Sequence, residues 1–188
     1  NSHRLIDLPT MPTQNKDTQK TERAIKDLID KFHVFIADPR KHLDGIKTIA
    51  VRQSEATGEI QVTLITVGHK IKNLIPLAKE IMKLPNVVSV YQNETDWNNP
   101  QVWGNKTEKL LGKNQITEEI LDKKFALSPR AFFQLNPVQT TTLYSEALKL
   151  LDLTPDQTLI DAYSGVGTLG ILAADRVKQV VGIETIPE

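Results

Sequence analysis

A glycine-rich turn between two apolar runs constrains the fold of this 188-residue chain more than any other feature. The first run ends on Asp161, the turn reads YSGVGTLG over residues 163–170, and a second apolar run over residues 177–183 ends on Glu184. Strand, glycine turn, helix, strand and terminal acid follow one another as in a nucleotide-type βαβ unit. The sequence therefore predicts the first half of such a unit in residues 159–184.

The spacing of the three glycines suits two classes of cofactor, because glycine lets the backbone turn sharply and approach a ligand closely. Gly165, Gly167 and Gly170 match the G-x-G-x-x-G pattern of NAD-binding proteins, and they also suit a site for S-adenosylmethionine. Asp161 favours S-adenosylmethionine, since a carboxylate beside the turn would repel a pyrophosphate, whereas this cofactor lacks phosphate and carries positive groups. Glu184 is placed to accept both hydrogen bonds of a ribose diol in either case.

Structural interpretations of the same residues stay open. A glycine turn without a ligand would have the same spacing. Asp161 could cap a turn or helix, and Glu184 could be an exposed charge at the end of a strand. The functional interpretation is the one that we predict.

Composition excludes several kinds of site. The chain has no cysteine, so these residues hold no disulfide, thiolate zinc site, iron–sulfur cluster or cysteine nucleophile. The four histidines lack metal-ligand spacing, and we predict no metal site. The formal net charge of zero provides no global basic field for nucleic acid. No apolar run approaches the roughly 18 residues of a membrane span, so we expect a cytoplasmic protein without membrane contact. Because residue 1 is Asn, we also expect a piece of a longer protein.

Two amphipathic helices are predicted before residue 125. Apolar residues repeat at helical spacing over residues 21–32. A second stripe over residues 71–82 predicts another helix, which Asn73 could cap. The residues of this second stripe are Ile71, Leu74, Ile75, Ala78, Ile81 and Met82.

Short apolar runs around these helices predict strands. Residues 46–52 and 60–67 predict a hairpin, and the alternation in the second run indicates one buried face and one wet face. Further strands are expected, the last three in a meander, at residues 87–91, 110–112, 116–120 and 125–127. This order predicts a first domain, residues 1–124, that is α+β with a mainly antiparallel sheet.

A second domain is predicted over residues 125–188. Asn136 is a good N-cap for a helix whose predicted buried stripe comprises Leu143, Tyr144, Ala147, Leu148 and Leu151. Gln134 is an unusual polar residue between two apolar ones. Its amide could satisfy backbone groups, or it could hold the amino-acid end of a cofactor.

Three short motifs occur together in this second domain: FFQLN at residues 132–136, DAYSGVGT at residues 161–168 and GIE at residues 182–184. In this combination the chain closely resembles the S-adenosylmethionine-dependent RNA (uracil-5-)-methyltransferases. The likeness is strongest to the Gram-positive bacterial enzymes that act on 23S ribosomal RNA. Residues 44–112 also look like that family's central domain, so the resemblance covers most of the chain.

The resemblance implies a fold, a cofactor and a partner. Residues 125–188 would be the first βαβ portion of a Rossmann-like α/β methyltransferase domain, which is truncated. The cofactor would be S-adenosyl-L-methionine, and the partner would be ribosomal RNA, bound by the full-length protein. The residues implied to contact or shape the cofactor site are Gln134, Tyr163, Gly165, Gly167, Thr168 and Glu184.

The reaction that the resemblance implies is covalent. A cysteine thiolate adds to C6 of a uracil that has left its stack, C5 takes the methyl group, and a base removes the C5 proton. This chain contains no cysteine, and Ser164 stands where the family usually has a cysteine other than the nucleophile. We therefore expect no catalytic residue in this chain and no activity from it alone. The iron–sulfur cysteines and the small RNA-binding barrel of many relatives are also absent from these residues.

The sheet of the second domain raises a further expectation. Two parallel strands and one helix cannot cover both faces of a parallel sheet, which leaves apolar surface and an open edge. We expect the last ~30 residues to be poorly ordered or to pack against a neighbouring chain.

Two alternatives to the methyltransferase remain, an NAD-type oxidoreductase and a non-catalytic RNA-binding module.

Overall fold

The computed structural model describes residue 8 and residues 10–134 and 136–185. The chain divides into two compact units. The first comprises the described residues up to Gln53 together with Ile60–Lys113, and the second comprises Ser54–Glu59 together with the described residues from Asn114 onward. The loop Ser54–Glu59, which connects the first two strands, thus belongs to the second unit.

The first unit is a four-stranded mixed sheet with two helices. The strands lie side by side in chain order: β1 (Gly45–Gln53), β2 (Ile60–Val67), β3 (Val87–Thr95) and β4 (Lys106–Gly112). The outer pairings are antiparallel, as predicted, but β2 and β3 pair in parallel. A parallel pair needs a crossover connection, and here it contains helix α2 (Leu74–Ile81).

Helix α1 (Lys16–Lys31) begins earlier than its apolar stripe predicts. Asn15 is its N-cap, and the side chain of Asn15 accepts the backbone N–H of Asp17 at 2.7 Å. The cap starts the helix, whereas the buried positions Ile25 and Ile29 lie in its later turns. Both helices contribute to the core of this unit, whose fully buried side chains include Ile25, Leu64, Leu77, Ile81 and Val90.

Three expectations for this unit are wrong. Strand β2 has no wet face, because it is an interior strand and every one of its residues is buried. Asn73 does not cap α2 with its side chain, since it is left-handed (φ 63°) and its amide donates to the Phe32 carbonyl at 2.8 Å. Ile75 is 46% exposed, and Leu77 is fully buried instead.

The second unit contains a hairpin of β5 (Ile116–Ile120) and β6 (Lys123–Leu127). These strands form their own two-stranded sheet, so the predicted meander from β4 is wrong. Leu121 and Asp122 both have positive φ (51° and 72°), the conformation of a two-residue type I′ turn. The domain boundary that we predicted, between residues 124 and 125, falls inside β6, whereas the compact units divide after Lys113.

The rest of the second unit is a βαβ arrangement preceded by a helix. Helix α3 (Pro137–Leu150) leads to the parallel pair β7 (Thr158–Asp161) and β8 (Gln179–Gly182), between which lies the short helix α4 (Thr168–Ala173). This is the predicted order of strand, glycine turn, helix and strand. Asn136 caps α3 as predicted, because its side chain accepts the Gln139 N–H at 3.1 Å.

Several apolar side chains on α3, β7 and β8 are more exposed than the apolar spacing in the sequence predicts. On α3, Leu148 is buried, but Leu143 is 57% exposed and Leu151 is 39% exposed. On the parallel pair, Ile160 is 64% exposed and Val181 is 37% exposed. Two strands provide little sheet surface for helices to cover, so the apolar surface that we predicted at this sheet is present. Packing against a neighbouring chain stays a prediction.

Candidate functional site

The glycine turn after β7 has the backbone conformation that requires glycine. Gly165 and Gly167 have φ of 53° and 78°, in the left-handed region where side chains are strained. The N–H of Gly167 donates to the carbonyl of Ser164 at 2.7 Å, which closes the turn. Gly170 serves packing instead, because a Cβ on it would lie 2.8 Å from Cγ1 of Val180 in β8.

The end of β8 holds the other side of this turn. Ser164 donates its backbone N–H to the Ile183 carbonyl at 3.1 Å. The next N–H, that of Gly165, donates to Oε2 of Glu184 at 2.9 Å. Oε1 of Glu184 accepts the N–H of Thr185 at 2.7 Å. The predicted acid thus lies directly at the predicted glycine turn.

A cavity of about 160 Å³ opens beside the turn. Four of the six predicted cofactor residues line it, namely Gln134, Tyr163, Gly165 and Thr168. Glu184 adjoins the cavity through its bond to Gly165, and Gly167 forms the turn one residue before Thr168. The remaining lining residues are Ile120, Phe132, Phe133, Thr140, Tyr144, Ser164 and Val166.

Exposure differs sharply among the lining residues. Tyr163 is 94% exposed and Phe132 is 71% exposed, whereas Thr168 is 7% exposed. Phe133 is buried, and its ring lies 5.6 Å from that of Phe125, centroid to centroid. The cavity is therefore lined by buried polar and apolar side chains and by exposed aromatic residues.

Sequence reasoning missed Phe132, Tyr144 and Ile120 as lining residues. Phe132 had a usable signal, because alternate residues of an extended segment point the same way and Gln134 lies two positions on. Tyr144 was assigned only to a buried helix stripe. Ile120 had no signal in its neighbourhood, since the hairpin that carries it precedes the motifs in the chain.

An ion pair links β6 to the 3₁₀ turn Ala174–Arg176, which directly follows α4. Nζ of Lys123 donates to Oδ2 of Asp175 at 2.5 Å. This hydrogen bond holds the pKa of the Asp175 carboxyl below its ordinary value, and it raises the pKa of the Lys123 ammonium. The pair thus connects the hairpin to the 3₁₀ turn that follows α4.

The described residues offer neither a cluster of metal ligands nor a helix suited to a bilayer. Residues 8, 10–134 and 136–185 contain no group of three or more His, Asp or Glu side chains that could hold a metal ion. No helix in that part of the chain combines the length and the apolar character that a bilayer span requires.

Comparison with known proteins identifies relatives along the whole chain. No protein-family model matches it. A Lactobacillus johnsonii protein named an uncharacterized RNA methyltransferase is 80% identical over 188 residues, which are all of this chain and 41% of that protein. A Lactiplantibacillus plantarum protein of the same name is 46% identical over 188 residues, or 39% of its length. The chain is similar over its whole length to part of proteins that are named RNA methyltransferases.

These relatives confirm the resemblance to RNA methyltransferases that the paired motifs predicted. The chain spans about two fifths of the length of these relatives. A solved structure supports the fold. The Pyrococcus abyssi tRNA (uracil-54, C5)-methyltransferase, solved with S-adenosyl-L-homocysteine, matches with a TM-score of 0.80 and 23% identity. The match covers 97% of this chain and 44% of the archaeal chain.

Proposed function

We propose that this chain is part of an S-adenosylmethionine-dependent enzyme that methylates C5 of a uridine in 23S ribosomal RNA. Its role would be to hold the methyl donor, with cytoplasmic ribosomal RNA as the substrate of the whole protein. The observation that carries the proposal is the cavity beside the glycine turn, where residues predicted separately lie together. The proposed cofactor residues are Gln134, Tyr163, Gly165, Gly167, Thr168 and Glu184.

The chemistry of the site fits a cofactor without phosphate. Among the described residues that line the cavity, none is Lys or Arg. The Gly165 N–H, a group that could bind a pyrophosphate, donates instead to the carboxylate of Glu184. Because this N–H is occupied, the turn is less suited to the pyrophosphate of NAD, whereas the Glu184 carboxylate suits the ribose diol of either cofactor.

Each residue of the site has a role that its chemistry permits. Bound S-adenosylmethionine supplies an electrophilic methyl group. Gln134, which is exposed, can both donate to and accept from the amino-acid end of the ligand. The Glu184 carboxylate can accept hydroxyl hydrogens of the ribose. Gly165 allows the left-handed conformation of the turn, with φ of 53°, and a Cβ there would meet no atom within 4 Å.

The cavity is smaller than a complete cofactor site. Its volume of about 160 Å³ lies below the roughly 300–1,000 Å³ of typical ligand pockets. The relatives are more than twice as long as this chain, so we propose that their remaining residues complete the pocket. The cysteine nucleophile and the base would also lie there, because the 188 residues contain no cysteine. This piece alone would then transfer no methyl group.

Calorimetry on a protein of the relatives' full length tests the cofactor. We expect S-adenosylmethionine and S-adenosylhomocysteine to bind and NAD not to bind. Glu184→Ala should weaken S-adenosylmethionine binding by about 1–3 kcal/mol, the value of hydrogen bonds to a charged group. Glu119→Ala, an exposed acid on β5, serves as the matched control and should leave the affinity unchanged.

Methyl transfer to RNA transcripts tests the reaction. We expect 5-methyluridine in 23S ribosomal RNA and none in transfer RNA. Product in transfer RNA alone would overturn the proposed substrate and retain the chemistry. Binding of NAD without S-adenosylmethionine would favour an oxidoreductase, and RNA binding without any cofactor would favour a non-catalytic RNA-binding module.

A further inference from the structure

The carboxylate of Glu184 contacts the backbone of the turn that it was predicted to serve. Its Oε2 accepts the Gly165 N–H at 2.9 Å across 19 residues of sequence. Its Oε1 accepts the N–H of Thr185 at 2.7 Å. The two oxygens therefore join the glycine turn to the chain segment that follows β8.

The backbone around this contact continues the pairing of β7 and β8. Ile183 donates its N–H to the Asp161 carbonyl at 2.8 Å, and Ser164 donates to the Ile183 carbonyl at 3.1 Å. The next N–H along the turn is that of Gly165, and a side chain accepts it instead of a backbone carbonyl. The side chain of Glu184 thus accepts the first N–H of the turn that lies beyond the backbone pairing of β7 and β8.

The backbone conformation of Gly165 depends on a hydrogen-bond partner more than that of a residue with a side chain would. Glycine has the greatest backbone freedom, and ordering it costs more conformational entropy than ordering any other residue. Its φ of 53° is accompanied by open space around the position of a Cβ, so side-chain packing does not hold the residue in place. The hydrogen bond to Glu184 is a directional contact that can do so.

We propose that Glu184 is a positioning residue, which orders the glycine turn before the cofactor binds. The inference rests on the proposed function, because it assigns a second role to one of the proposed cofactor residues. Loss of this contact would leave Gly165 free to sample other conformations, and cofactor binding would then bear the entropic cost of ordering the turn.

Glu184→Gln separates the positioning role from direct contact with the ribose. A carboxamide has one oxygen and no charge, so the Gly165 N–H either faces the new NH₂ or keeps an acceptor that is neutral and therefore weaker. The same carboxamide can still bond two ribose hydroxyls, since hydroxyls both donate and accept. Glu184→Asp keeps the charge but shortens the side chain by one methylene. Glu119→Gln is the control.

The experiment measures hydrogen exchange of the Gly165 amide in the cofactor-free protein of full length, with selective ¹⁵N-glycine labelling. We expect about tenfold faster exchange in Glu184→Gln and Glu184→Asp, the equivalent of one hydrogen bond. The Gly167 amide, which bonds to the Ser164 carbonyl, should change less, and Glu119→Gln should match the wild type. S-adenosylmethionine affinity, measured by calorimetry, should fall about tenfold in Glu184→Gln.

The outcomes distinguish this inference from the proposed function. Unchanged Gly165 exchange with weaker S-adenosylmethionine binding would overturn the positioning role and leave the cofactor assignment intact. Faster Gly165 exchange in a protein whose wild type binds no S-adenosylmethionine would retain the positioning role and overturn the proposed cofactor. A retained circular dichroism spectrum shows that each variant is folded.

Discussion

Asn93 and Gly104 hold each other through two reciprocal hydrogen bonds. The N–H of Gly104 donates to Oδ1 of Asn93 at 2.7 Å, and Nδ2 of Asn93 donates to the Gly104 carbonyl at 3.0 Å. The same Nδ2 also lies 3.1 Å from the Lys106 carbonyl and 2.8 Å from Oγ1 of Thr107. Asn93 is fully buried, so its amide fixes the connection that leads from β3 into β4.

Replacing this amide by a carboxylate should destabilise the first unit. Asn93→Asp keeps the acceptor for Gly104 but removes both donors and places oxygen against two carbonyls. We expect a loss of about 3 kcal/mol in the free energy of unfolding, measured with urea. Asn98→Asp, at an exposed position, should change it by less than about 0.5 kcal/mol. Equal effects of the two variants would contradict the role of Asn93.

Glu118 should stabilise the second unit in a similar way. It is 3% exposed, and its carboxylate accepts the backbone N–H groups of Glu55, Ala56 and Glu119 at 2.9, 3.1 and 2.9 Å. Glu118→Gln has a single oxygen and must turn its NH₂ toward one of these donors. We expect the free energy of unfolding to fall by about 2 kcal/mol. Glu119→Gln, the exposed neighbour, is the control, and a comparable loss there would refute the assignment.

The Lys123–Asp175 pair should give stability a defined pH dependence. The pKa of Asp175 is lowered from 3.8, so its contribution is complete above that value and is lost as pH falls through the lower, folded pKa. The pKa of Lys123 is raised from 10.5, so its contribution is complete below that value and is lost as pH rises through the higher, folded pKa.

Melting temperatures of Asp175→Asn and the wild type, measured from pH 2 to 12, check this pair. The difference between them should be constant between about pH 5 and 9. It should shrink in more acidic and more alkaline solution. It should also shrink in high salt, because the side chain of Asp175 is 76% exposed and that of Lys123 is 31% exposed. Lys124→Met, the adjacent exposed lysine, should show no such profile. A pH-independent difference would exclude the ion pair as its cause.

Because one face of the β7–β8 pair is exposed, a substitution there should have different effects on the stability of this chain and of a protein of the relatives' full length. Ile160 is 64% exposed in this chain, so Ile160→Ser should change its free energy of unfolding by less than about 0.5 kcal/mol. In a protein of the relatives' full length, we expect further elements to cover β7 and β8. There the same substitution should cost about 2–4 kcal/mol. Leu150→Ser on α3 provides a comparison at a second exposed apolar position. A small effect of Ile160→Ser in both proteins would show that no further element covers β7.

Local patterns predicted those features that depend on neighbouring residues in the chain. The cap at Asn136, the glycines at residues 165 and 167, and the strand order around them were all predictable, because each depends on a few consecutive residues. Asn73 shows the limit of such reasoning. Asparagine is a good capping residue, but the side chain of Asn73 instead donates to the Phe32 carbonyl, 41 residues away. No local pattern predicts that partner.

The candidate site also combines residues that the sequence predicted with contacts that it did not predict. Gln134, Tyr163, Thr168 and Glu184 could be selected as candidates from motifs. That three of them line one cavity, and that Glu184 bonds to Gly165, could not be read from the motifs alone. Phe132 and Ile120 entered the site only through the folding of the hairpin and the extended segment around it.

The sequence by itself determined the order of strand, glycine turn, helix and strand, since periodicity and glycine conformation are properties of short segments. It also determined that these residues contain no cysteine nucleophile. Only the tertiary structure decided that β2 and β3 run in parallel, that Glu118 accepts N–H groups up to 63 residues away, and that Glu184 accepts the N–H of Gly165. Such contacts depend on which distant segments pack together, and that choice follows from burial and polar pairing across the whole fold.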